Sequence, residues 1–138
     1  MMINHHFLIC LFLVVGAYAD LPDFVPKEFH DWIFSMRAKC IKETGVTEAD
    51  IDSYVISNNA QPIMCYMKCM MLESKWMTSN HQVNYDVIEN VVQGELQKIL
   101  IAALDKCRNF PDGKDPCETA YNFNVCMQQA DPVHYFLP

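Results

Sequence analysis

The stretch Cys65-Tyr66-Met67-Lys68-Cys69 decides the fold. Its two cysteines stand four residues apart, about 400° around a helix, and so share one face. Leu72 and Trp76 continue that stripe, which marks it as the core-facing side. Met64, Met67 and Met71 form a second apolar arc, and a helix that is oily on more than one side belongs inside a protein. With each cysteine bridged to a different part of the chain, this helix is the post to which the others are tied.

Helical spacing extends outward from that post. Pro62 suits its first turn, and the pattern predicts that it reaches Trp76 or Met77. Upstream, Phe29, Trp32, Ile33, Met36 and Cys40 predict a first helix over about 27–43, ended by Gly45 as a left-handed cap. Thr47-Glu48-Ala49-Asp50 has the form of a capping box opening a short second helix, with Ile51, Tyr54 and Val55 inward and Asn58-Asn59 breaking it.

Downstream, Thr78 to Asn84 is polar and reads as a loop. Tyr85, Ile88 and Val92 are spaced for a short amphipathic helix ended by Gly94. From Glu95 to Arg108, Leu96, Ile99, Leu100, Ala103 and Cys107 lie opposite Glu95, Lys98 and Asp105. Phe110 to Gly113 is a turn, and Asp115-Pro116 opens a last helix to about Ala130. The fold class read from these patterns is all-α, with six helical segments.

The first nineteen residues read as a secretory signal peptide. Phe7 to Val15 is an unbroken apolar run too short to span a bilayer, and Ala17-Tyr18-Ala19 offers small residues at a cleavage site. Cleavage there leaves 20–138 as one soluble domain, too short for two. The net charge of −7, without a basic stripe, argues against nucleic acid and anionic membranes as partners.

Cys10 leaves with the leader, so Cys40, Cys65, Cys69, Cys107, Cys117 and Cys126 remain, and an even set in a short secreted chain implies disulfides. A zinc site would call for paired C-x-x-C knuckles, which the chain lacks. Helix geometry disfavours Cys65–Cys69 and forbids Cys117–Cys126, whose nine-residue separation puts them on opposite sides of a helix. Most of the possible pairings stay open after those exclusions.

Catalytic signatures are missing. There is no Gly-x-Ser-x-Gly elbow, His-Glu-x-x-His helix or phosphate-cradling glycine loop. His30-Asp31 is the one His-Asp dipeptide, and it lacks the glycine-rich calcium loop of secreted phospholipases. No enzyme, cofactor or metal is expected. What remains is an apolar surplus, including methionines whose pliable side chains suit ligands of varied shape. Disulfides worth roughly 2–4 kcal/mol each can offset a cavity penalty of about 2–5 kcal/mol, so the surplus reads as a cavity lining. The tail, Val133-His134-Tyr135-Phe136-Leu137-Pro138 after Asp131-Pro132, is too apolar for a loose terminus, and residues 131–138 are expected to fold back onto an apolar surface, either as a lid or packed on an outer groove with no ligand involved.

The mature spacing C-x24-C-x3-C-x37-C-x9-C-x8-C resembles that of the insect odorant-binding and pheromone-binding proteins over the whole mature chain. The Asp131 to Leu137 ending and the tract Lys42 to Glu48 are similar to the mosquito and fly antennal branch. The resemblance implies six helices around a hydrophobic pocket and the bridges Cys40–Cys69, Cys65–Cys117 and Cys107–Cys126. It implies a pocket wall of Tyr85, Ile88, Val92, Leu100, Ala103, Leu104, Phe123 and Met127, with Tyr135 and Phe136 from the tail.

It further implies that Arg37 and Tyr66 hold the terminal carboxylate of Pro138, with His134 nearby, as a pH-sensitive latch. A carboxylate so held has a depressed folded pKa, so its contribution is present above the unfolded value and lost as pH falls through the folded one. The implied function is to carry odorants or pheromones (long-chain alcohols, esters or aldehydes) through sensillar lymph to olfactory receptors, as a monomer or weak homodimer. The competing readings are a carrier of non-olfactory lipids or hormones, and a secreted helical inhibitor or toxin without a cavity.

Overall fold

The computed structural model of the protein describes residues 20–138. The leader and Cys10 lie outside the described residues. Six α-helices follow a single 3-10 turn, Lys27–Phe29: α1 His30–Thr44, α2 Glu48–Asp52, α3 Gln61–Glu73, α4 Tyr85–Glu89, α5 Gly94–Lys106 and α6 Pro116–Ala130. The described residues contain no strand, only an isolated bridge between Met77 and Val83.

Local chemistry explains the ends. Gly45 takes a left-handed φ of 73°, which costs a glycine little, and returns its N–H to the Ile41 carbonyl to stop α1. Thr47 and Asp50 exchange the two bonds of a capping box at the start of α2. Pro62 sits in the first turn of α3 and Pro116 in that of α6, where Asp115 accepts from the Glu118 N–H.

Several boundaries differ from those the periodicity predicts. The first turn of the expected first helix is 3-10, set by the Phe29 N–H donating to Pro26. The second helix ends at Asp52, so Tyr54 and Val55 lie beyond it and Val55 is exposed. The central helix stops at Glu73, because Lys75 turns the chain out with a left-handed φ of 66°. Trp76 therefore stands on a loop, where its carbonyl accepts from the Asn84 N–H at 2.7 Å. The fourth helix ends at Glu89, which leaves Val92 in a connection, and Gly94 opens α5 rather than closing α4.

The bridges are Cys40–Cys69, Cys65–Cys117 and Cys107–Cys126. Two of them land on α3, which packs against both α6 and α1. The buried face of α3 takes in only part of the cysteine stripe, however. Ile63, Met64, Tyr66, Met67, Cys69, Met70 and Met71 are buried, whereas Cys65 and Leu72 are half-buried at the edge. Cys65 reaches α6 from the flank of α3, Cys69 reaches α1 from within the buried face, and methionines fill most of the rest of that face.

Candidate ligand-binding cavity

The apolar faces of the helices do not meet solidly. They border a partly open cavity of about 230 Å³ lined by α1, α3, α5, α6, the segment before α1 and the C-terminal tail. Trp32, Ile33 and Met36 come from α1, and Met67, Met70 and Met71, at i, i+3 and i+4, from α3. Leu96, Ile99, Leu100 and Ala103 come from α5, and Phe123, Asn124 and Met127 from α6. Phe24 to Pro26 and the tail residues His134 to Pro138 complete the wall. Such a wall is suited to removing apolar surface from water, worth about 25 cal/mol per Å².

Of the wall residues that the resemblance implies, the structure brings Val92, Leu100, Ala103, Phe123, Met127, Tyr135 and Phe136 to this cavity. It does not bring Tyr85, Ile88 or Leu104. Ile88 and Leu104 are fully buried in the packing behind it. Tyr85 turns its hydroxyl to the Cys107 carbonyl at 2.8 Å, lies under the Arg108 guanidinium and packs edge-on to Phe123 at 6.4 Å. It supports a wall residue from outside.

The tail folds back. The Tyr135 hydroxyl donates to Asn124 Oδ1 at 3.0 Å, and the Phe136 ring packs on Phe24 at 5.9 Å. Asp131 accepts from both the backbone N–H and the Nδ1 of His134, fixing the corner where the tail leaves α6. Tyr66, fully buried on α3, donates its hydroxyl to the Pro138 terminal oxygen. Burial pushes the hydroxyls of Tyr66 and Tyr135 far above the ordinary tyrosine value, so both remain donors throughout the physiological range.

Arg37 is placed differently from the resemblance. Its guanidinium is only 4% exposed and pairs with Glu48 (Nε to Oε2, 2.7 Å) and Asp52 (2.8 Å), both on α2. Burial works to lower its pKa, but the bonds from Glu48 and Asp52 outweigh that and raise it. Arg37 thus ties α1 to α2 beside Tyr66, while the tyrosine takes the chain's end.

A second, more polar cleft of about 460 Å³ lies on the surface between the end of α1 and α3. Its Glu73 is already paired with Lys39 at 2.6 Å. Among the described residues, no group of three His, Cys, Asp or Glu is placed to hold a metal ion, and no helix is long and apolar enough to cross a membrane.

The PBP/GOBP family model matches residues 23–130, most of the chain. The chain belongs to the PBP/GOBP family. Solved structures share the fold of this PBP/GOBP chain. Odorant Binding Protein 4 of Chrysopa pallens has a TM-score of 0.71 at 24% identity, covering 83% of this chain and 99% of its own. The medfly odorant binding protein CcapOBP22/CcapOBP69a gives 0.65 at 26%, covering 74% and 90%. The fatty acid binding protein OBP56a from the oral disk of the blowfly Phormia regina gives 0.64 at 20%, covering 82% and 98%.

Proposed function

We propose that this chain is a secreted carrier of small hydrophobic molecules and not an enzyme. Its cargo is odorants or pheromones of the long-chain alcohol, ester or aldehyde class, carried through sensillar lymph to olfactory receptors. The cavity carries this reading: its wall is apolar on every long helix and is completed by a tail that a polar terminus would not form. Three disulfides fit the oxidising compartment to which residues 1–19, as a leader, would send the chain. A second reading, a carrier of other lipids, is favoured by the blowfly relative whose name gives it fatty acid binding.

Tyr135 and Phe136 are the lid in this account, and Tyr66 holds its end. Release on acidification follows from that latch. Protonation of the terminal carboxylate that accepts from Tyr66 removes its charge and weakens that bond, so the hold is full while the carboxylate is ionised and is lost as it takes up a proton. Arg37, Glu48 and Asp52 act on the Tyr66 hydroxyl from the α1–α2 side, and Asp131 pairs with His134 where the tail leaves α6.

Displacement of a fluorescent apolar probe by long-chain alcohols, esters and aldehydes tests the carrier reading. Saturable displacement is expected, whereas an inhibitor or toxin acting through its surface would hold no probe. Comparing the intact chain with one lacking Tyr135 to Pro138 across pH tests the lid. Equal affinities at every pH would remove it.

A further inference from the structure

Among the described residues that line the cavity, Trp32 alone is exposed, at 40%, and the others are buried or half-buried. Ile33 and Met36, its neighbours on α1, are buried in the same wall. A large ring that borders both the cavity and the solvent marks the cavity's mouth. Phe29, three residues earlier, braces it, with ring centroids 6.2 Å apart.

The order of the disulfides places that mouth at a seam. Cys40–Cys69 ties α1 to α3, Cys65–Cys117 ties α3 to α6, and Cys107–Cys126 ties the end of α5 to α6. The bridges thus join the walls in a row, α1–α3–α6–α5, and leave the two ends of the row unjoined. Packing follows the same order. Helix α1 packs on α3, α3 on α6, and α6 on α5, whereas no extensive packing joins α1 to α5. Gln97 and Arg108 fasten α5 to Glu89 at the end of α4, so α4 and α5 stand together across the seam from α1. The wall on that side is Val91, Val92 and Leu96, all half-buried. Trp32 lies eight residues before Cys40 and Leu96 eleven before Cys107, about 12 Å and about 16 Å along their helices from the nearest bridge. The tail closes a different side. His134 and Phe136 pack on Phe24, ahead of α1, and Tyr135 bonds to Asn124 on α6.

We propose that ligands enter and leave through the α1–α5 seam with the tail in place, and that Trp32 is the gate residue that limits their width. A gate met only in passing alters the barrier for entry and exit alike, so it changes both rates and leaves the equilibrium alone. The gate rests on the carrier reading and adds to it a selection by shape, in which straight chains pass more readily than bulky rings.

The test uses the oxidised mature chain, a straight-chain aldehyde and a bicyclic ketone of equal carbon number. Stopped-flow competition with a fluorescent apolar probe gives the association and dissociation rates of each. Trp32→Ala should raise both rates by about tenfold for the ketone and by less for the aldehyde, with each affinity kept within about twofold. Trp32→Phe, with its smaller ring, should move the ketone rates the same way by about threefold, and it carries the test if the alanine variant loses helical circular dichroism.

Unchanged rates in the Trp32 variants would overturn the gate, and faster exchange only on removing Tyr135 to Pro138 would place the route at the tail instead. A rise in dissociation alone, with affinity lost, would make Trp32 a wall contact and overturn the gate as well. These outcomes leave the carrier intact. A wild-type chain that binds neither compound nor the probe would sink the carrier reading, and the gate with it.

Discussion

Tyr66 shows what one residue contributes. Its ring is fully buried on α3, and its hydroxyl reaches a chain end seventy-two residues away in sequence. Tyr66→Phe keeps the ring and removes the bond. We expect a stability loss of about 1 kcal/mol and faster ligand dissociation, read by denaturant titration and stopped-flow displacement. An unchanged dissociation rate would mean that the tail is not held at that point. The family resemblance assigned both Tyr66 and Arg37 to the tail; Tyr66 bonds to it, while Arg37 pairs with α2, and a lone arginine on a helix says nothing about which carboxylates a later segment will bring to it. Glu48 and Asp52, four residues apart on α2, are close enough to take the guanidinium first.

Helices were legible from their periodicity, and their ends less so. Gly45 and the Thr47 box are local signals, and both act where the sequence places them. The end of α3 is set by Lys75 adopting a left-handed φ, a conformation that lysine does not advertise. Trp76 fits the helical spacing, which is why the sequence alone leaves it in the core stripe. The methionines of α3 could be read as a lining, but the contribution of Phe24 to Pro26 could not, since an extended segment has no periodicity to betray its inner face.

The turn before α6 carries the element-scale test. A Cβ on Gly113 would lie 2.4 Å from the Thr119 backbone nitrogen, closer than real Cβ atoms approach. Gly113→Ala should therefore cost about 1–3 kcal/mol in denaturant unfolding. A neutral result would show that the turn can yield.

Caps on α2 and α6 should respond to acid. Backbone N–H groups bonded to Asp50 and Asp115 hold both carboxyls below the ordinary aspartate value. Their stabilisation is present above that value and is lost as pH falls through the depressed ones. Helical circular dichroism should stay flat down to about pH 4 and decline below it. A decline centred near neutrality would point to other groups.

At the scale of the whole molecule, hydrophobic patterning alone could not choose the disulfides, because rotation around a helix excludes pairs without selecting one. The observed pairing requires α3 to lie between α1 and α6, and that arrangement is what spaces the walls of the cavity. Burial raises the hydroxyls of Tyr54, to about 12, and of Tyr66 and Tyr135, beyond their ordinary range. A raised folded value gives stability that is complete below about pH 10 and lost as pH climbs through it. Tyrosinate absorbance should consequently appear together with loss of helix. Titration of these residues near pH 10 in an intact fold would contradict their burial.

Calorimetric titration of the oxidised mature chain with a long-chain aldehyde at several temperatures addresses the cavity most directly. One molecule bound per chain with a negative heat-capacity change, the mark of apolar surface leaving water, is the expected result. A folded, fully bridged protein that gives no saturable heat at any temperature, or binds with no change in heat capacity, would contradict it.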